Sequence, residues 1–203
     1  MDNFWSLVIT SLVSPLALGL AGVMWKFLEK RLNLRINELE NNFKDKNAKT
    51  KKDVGAIYNV IAALLSNLQA SRVYIMQPHP LGKNEYISVI FEVTDMGVMP
   101  IKDKLIDFPA ANMPCFVGDI SQRDFLFYKN ISLLKGERSR AFFTNTGSES
   151  LIVKRLRDDK NDWIGSIIVD CMEETQMAPD YAKNILRAAA DKIQFILPPV
   201  ESI

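Results

Sequence analysis

The sequence has one histidine, His79, and two cysteines, Cys115 and Cys171. A single imidazole leaves a triad or a His-rich metal site with at most one such member, and His79, set between Pro78 and Pro80, reads as a turn residue. The cysteines belong to no close motif and do not make the disulfide framework of a small secreted domain; both are expected to be buried as small hydrophobes. Excess charge is missing as well. A formal charge of +1 argues against an overall nucleic-acid-binding character. Gly147 to Ser150, GlySerGluSer, is too short for a phosphate loop and lacks its lysine. Asp170, Glu173 and Glu174 are acidic neighbours without an EF-hand pattern around them, so they read as solvated loop charge, and no metal site or cofactor is assigned. No catalytic constellation stands out, and the chain is expected to be non-catalytic.

Charge is also absent from one long run. Phe4 to Phe27 carries none before Lys26, and at ~1.5 Å per residue it is long enough to cross a hydrocarbon layer of ~30 Å as one helix. Trp5 and Trp25 sit where amphipathic rings prefer the headgroup level, and Lys26, Lys30 and Arg31 follow at once. Residues 1–27 are therefore expected to be a transmembrane anchor, with those five residues at the interface. A cleaved signal peptide would want a basic n-region, whereas the chain opens Met1, Asp2, Asn3. A buried core helix would show a polar stripe, and only Ser6, Thr10, Ser11 and Ser14 are polar here. A hydrophobic arm held in an assembly, or a pore-forming segment, stays open as a further reading. The basic residues that follow, Lys26 to Lys52, outnumber the acidic ones, so the positive-inside rule places the N-terminus outside and the rest in the cytoplasm.

Beyond the anchor, Leu28, Leu32, Ile36, Leu39 and Phe43 recur at helical spacing, which predicts a stalk, residues 28–53 with its basic polar end, that pairs two copies. Residues 54–203 are left for one cytoplasmic domain with a core of its own. Val54, Ile57, Tyr58, Ile61, Leu64, Leu65 and Leu68 predict an amphipathic helix. Strands are expected over Arg72–Gln77 and Tyr86–Thr94, joined by a loop from Pro78 to Glu85. In the middle, a short helix is expected over Ile101–Phe108, an apolar strand or packed loop over Met113–Val117, a helix from Ser121 through Arg123 to Leu134, and a strand over Ala141–Thr144. Leu151–Leu156 and Trp163–Asp170 predict a hairpin, with Lys154 to Arg157 giving it a solvated outer side, and Pro179 opens a last helix. An α+β domain follows: an antiparallel sheet with its first and last helices on one face.

The leading helix into ArgValTyrIleMet, the hairpin ending TrpIleGlySerIleIleValAsp and the closing helix with AlaAspLysIleGlnPheIle resemble a GAF domain, a small-molecule sensing and dimerisation fold related to PAS. The resemblance implies a strand glycine at Gly165 and a last helix packed beside the first. The family's Asn-Lys-x-Phe nucleotide signature is missing, and neither Cys115 nor Cys171 has the neighbouring histidine of a bilin-attachment pair. Tyr74, Phe91, Cys115, Phe116 and Phe143 are the candidate pocket lining. The expected protein is a membrane-anchored, cytoplasmic sensory or interaction module that meets the lipid bilayer, a second copy of itself and an unidentified small molecule or protein partner. The alternative is a holin-like lysis or assembly protein whose N-terminal helix is the effector and whose soluble domain controls oligomerisation.

Overall fold

The computed structural model describes residues 53–198 together with Lys26, Lys30, Arg31 and Arg35, which are helical and exposed. The expected span, apart from Lys26, and the apolar seam of the stalk lie outside the described residues, as do Trp5 and Trp25. Among the described residues no helix is long and apolar enough to cross a membrane. The chain divides into two compact units, 1–50 and 51–203.

The second unit is built on a six-stranded antiparallel sheet in the order β3-β2-β1-β6-β5-β4. Its elements are α1 (53–67), β1 (Arg72–His79), β2 (Tyr86–Thr94), β3 (Phe108–Pro109), α2 (Pro114–Gln122), β4 (Phe125–Tyr128), α3 (Glu137–Asn145), β5 (Ser150–Arg157), β6 (Trp163–Cys171) and α4 (Pro179–Ile193). β1 and β6 lie at the centre and are covered on both faces, so every residue of β1 is buried, including the polar ones. Their pairing runs from Arg72 opposite Asp170 to Met76 opposite Ser166.

One face of the sheet is covered by α1 and α4, as expected. Ile57, Ile61 and Leu64 of α1 meet Ala182, Leu186, Ala189 and Ile193 of α4 over Val73, Ile75, Ile152, Ile167 and Val169. Gly165 makes close layering possible at the far end: a Cβ there would stand 2.9 Å from the Met76 carbonyl oxygen and 3.2 Å from Gln77 Cγ. The opposite face is covered by α2, α3 and short 3-10 turns, with Phe116, Val117 and Ile120 of α2 and Phe143 of α3 laid on Tyr74, Met76, Val89, Val153 and Ile168.

The middle of the chain departs from expectation at four places. Met113–Val117 is not a strand or loop but the entrance to α2, because Pro114 pre-sets the helical φ where its missing N–H costs nothing. Arg123–Leu134 is not a helix: the aromatic run Phe125–Tyr128 pairs with β5 as β4, followed by a 3-10 turn over Ile131–Leu133. Ser121 accordingly caps nothing and donates to the Gly118 carbonyl within α2. Ala141–Thr144 is helical, inside α3, where Ser139 and Phe143, four residues apart, are both buried. The helix expected over Ile101–Phe108 shrinks to one 3-10 turn, Lys102–Lys104, because Ile101 and Leu105 are drawn into the core on either side of it.

Candidate functional site

The two faces of β1 alternate, so Val73 and Ile75 enter the α1/α4 layer while Arg72 and Tyr74 point to the other side. Asp170, directly across from Arg72 on β6, points the same way as Ile168. Two residues that terminate apolar runs thus become a charged pair inside the domain: Arg72 is 1% exposed and Asp170 0%.

The guanidinium is the hub of a polar node. Arg72 Nε donates to Asp170 Oδ2 at 3.0 Å, and Nη2 lies 2.7 Å from the same oxygen. Nη1 donates to the Met99 carbonyl at 3.2 Å, and Nη2 also to the Thr146 carbonyl and to Ser148 Oγ, each at 3.0 Å. Ser148 Oγ donates in turn to Asp170 Oδ2 at 2.9 Å. Glu92, opposite Tyr74 on β2, accepts from the backbone N–H groups of Ile101 at 2.8 Å and Lys102 at 3.0 Å. Tyr74 Oη and Asp170 Oδ1 are buried and have no hydrogen-bond partner among the described residues. Burial pushes the Asp170 carboxyl up to about 6 against the opposing pull of Arg72 and Ser148, with the Glu92 charge adding to the rise. The Tyr74 phenol is raised too, first by burial and then by the Asp170 charge.

A second polar group lies at the other end of β1. His79 is not a turn residue: it is the last residue of the strand and is buried because Tyr86 stacks on it, centroids 5.7 Å apart. Its Nε2 is 2.8 Å from Ser88 Oγ and 3.2 Å from Asp107 Oδ1. The carboxylate approaches the same ring nitrogen as the hydroxyl, so it does not orient the imidazole from behind as a nucleophile–base–carboxylate relay requires. Among the described residues no three metal-ligating side chains converge. An open cleft of about 570 Å³ lies where the end of α1 meets the β6–α4 connection, lined by Asn67, Gln69, Cys171, Glu173 and Tyr181 among others.

Of the five residues expected to line a pocket, Tyr74, Phe116 and Phe143 share one apolar layer, with the two phenylalanine rings edge-on at 5.0 Å. Phe91 is on the other side of the sheet. It pairs with Ile75, which faces α1 and α4, just before the register shift that sets Val89 opposite Met76, and it meets Tyr58 of α1 at 5.4 Å. Cys115 is exposed rather than buried, because it occupies the first turn of α2 while Phe116, Val117 and Ile120 take the inward face; Cys171 is buried. Lys154, expected on a solvated strand face, is 8% exposed and paired with Asp124. Glu173 and Glu174 are exposed, apart from Asp170 in environment, and Glu174 pairs with Lys129 at 3.2 Å. Arg72, Asp170, Ser148 and Glu92 escaped sequence reasoning as a group. The available signal was one charged residue at the end of each of two β-rich runs, which marks a strand boundary equally well.

No family model matches the chain, and no curated protein matches it in sequence. Solved structures do match in fold. The phycoerythrobilin-bound GAF domain of a cyanobacterial phytochrome superposes with a TM-score of 0.56 at 14% identity, over 78% of this chain and 93% of that one. A GAF domain from Synechocystis sp. in its photoproduct state gives 0.58 at 12% identity, over 70% and 90%. The GAF domain of the cyanobacteriochrome TePixJ gives 0.56 at 15%, over 70% and 86%. The fold is GAF-like: an α+β domain with a six-stranded antiparallel sheet and flanking helices.

Proposed function

We propose that this protein is a membrane-anchored, cytoplasmic sensory or interaction module, non-catalytic and paired with a second copy through its stalk. The carrying observation is the polar node of Arg72, Tyr74, Glu92, Ser148 and Asp170, buried beside an apolar layer with two polar atoms unpartnered. Such a cluster is costly to retain in a core unless its free valences are used. A bound small molecule or partner favours one arrangement of the domain, and that preference is passed to the stalk and the bilayer; the coupling needs a difference in affinity between the two arrangements. The neighbours in fold include a phycoerythrobilin-bound GAF domain of a phytochrome and a domain of a two-component sensor histidine kinase, and the sensory reading is taken from them by analogy of fold alone. A bilin is not proposed, since Phe116 stands where an attachment pair would have its histidine.

The test has two arms. Carbonate extraction and protease accessibility are compared for the full chain and a chain lacking residues 1–27. The full chain is expected to resist extraction and to be cleaved only once cells are opened, and the shortened one to be soluble. Thermal-shift screening of the detergent-solubilised full chain then seeks a stabilising small molecule. A full chain released by carbonate overturns the anchored reading and turns attention to the assembly alternative.

A further inference from the structure

Resting on the sensory reading above, we infer that the Arg72–Asp170 node takes a small hydrogen-bond donor, an amine or amide group, and rejects anions. The valences left open decide this. Asp170 Oδ2 already receives Arg72 Nε and Ser148 Oγ and lies 2.7 Å from Arg72 Nη2, whereas among the described residues Oδ1 receives nothing and Tyr74 Oη neither gives nor receives. The guanidinium, the group that an incoming carboxylate or phosphate would need, has four of its five N–H groups engaged, by Asp170, Met99, Thr146 and Ser148, and the one left on Nη1 offers no fork for a bidentate anion. Both oxygens of Glu92 are taken up by backbone N–H groups. What the node offers a newcomer is therefore a carboxylate oxygen that can only accept and a phenol hydroxyl that can accept or donate.

Charge points the same way. One guanidinium stands among two carboxylates, Asp170 and Glu92, which act on each other and on Tyr74 at close range. An anion brought there meets a net negative surrounding in a medium where screening is weak, while an ammonium or amide N–H meets acceptors that lack a donor. The node is also tied to movable cover. Arg72 holds two glycine-bearing loops through one carbonyl each, Met99 in 95–101 and Thr146 in 146–148, and Gly97 and Gly147 both have positive φ. In the first loop Met96 is 97% exposed and Met99 70%, so few side-chain contacts hold it down. Loosening these loops opens the start of β1 to solvent. An internal water offers the same donor chemistry as an amine, and the experiment separates the two.

The full chain in detergent, labelled with fluorotyrosine, is titrated with methylammonium, acetamide and acetate, and the Tyr74 fluorine resonance is assigned by its loss in Tyr74→Phe. Methylammonium or acetamide is expected to move that resonance saturably, and acetate to leave it in place. In calorimetry Tyr74→Phe weakens binding of the same probe by about five- to tenfold, one hydrogen bond's worth, with an unchanged melting temperature. If acetate moves the resonance as strongly, the ligand class is wrong while the sensory reading stands. If none of the three moves it, or Tyr74→Phe binds as well as the parent, the node is not a binding site and the sensory reading loses its support. A crystal structure with an ordered water joining Tyr74 Oη to Asp170 Oδ1, undisplaced at saturating methylammonium, overturns the inference in the same way.

Discussion

The two faces of the sheet are built by opposite means. Under α1 and α4 the layer is mostly aliphatic and is made by two helices of regular periodicity at the two ends of the domain. Under α2 and α3 it is made by short helices, 3-10 turns and loops, and it adjoins the buried polar node. The first face is the sort that stabilises a fold, because its contacts are non-directional and tolerate adjustment. The second combines directional bonds with unpartnered atoms, and in a low-dielectric interior such groups are costly to leave unmet.

The sharpest way to break this contrast is Arg72→Met, which leaves Asp170 buried without its partner. A loss of about 3–5 kcal/mol in urea denaturation is expected, with most of it recovered in the double variant Arg72→Met, Asp170→Leu. Leu186→Ala on the helical face removes a fully buried side chain and is expected to cost about 2–5 kcal/mol by the same measurement. Unlike the first loss, it will not be rescued by a second substitution across the sheet.

The faces also differ in pH dependence. Folding raises the Asp170 carboxyl from 3.8 to about 6, so the folded state holds this proton more tightly than the unfolded chain. The contribution is therefore complete below pH ~4 and is lost as pH rises through about 6, a change on the order of 3 kcal/mol that Asp170→Asn should flatten in a pH series of melting curves. Gly165→Ala forces a methyl group against the Met76 carbonyl and is expected to cost about 1–3 kcal/mol, read as a lowered urea midpoint. Tyr74→Phe comes last: with no hydrogen bond to lose, its effect on stability should fall within about 0.5 kcal/mol of zero. A larger loss would mean that the hydroxyl is structurally engaged after all.

The same contrast explains what the sequence made legible. α1, α4 and the four long strands are long enough for their periods to show, and β2 runs over Tyr86–Thr94 as expected. α2, β4 and α3 are four to nine residues long, and there an apolar run such as Cys115–Val117 or Ala141–Phe143 fits helix and strand alike. The site suffered from distance. Tyr74, Phe116 and Phe143 can be singled out because aromatic residues declare themselves one by one, and the three fall in one apolar layer. Arg72 and Asp170 stand 98 positions apart, and only the pairing of β1 with β6 brings them together.

That pairing has a mechanical side. The end of α1 lies beside the start of α4 near Cys171, so the antiparallel helices have their other ends at the opposite rim, where Leu197 reaches Gly165 beside Met76. The node thus sits at one end of β1 and the start of α1 at the other, roughly 20–25 Å away at the rise of a strand. β1 is bonded along both edges, to β2 and to β6, and such a strand behaves as a beam rather than a hinge. The register shift between Ile75 and Met76 interrupts the β2 edge of that beam midway, while its β6 edge pairs without a break from Arg72 to Met76.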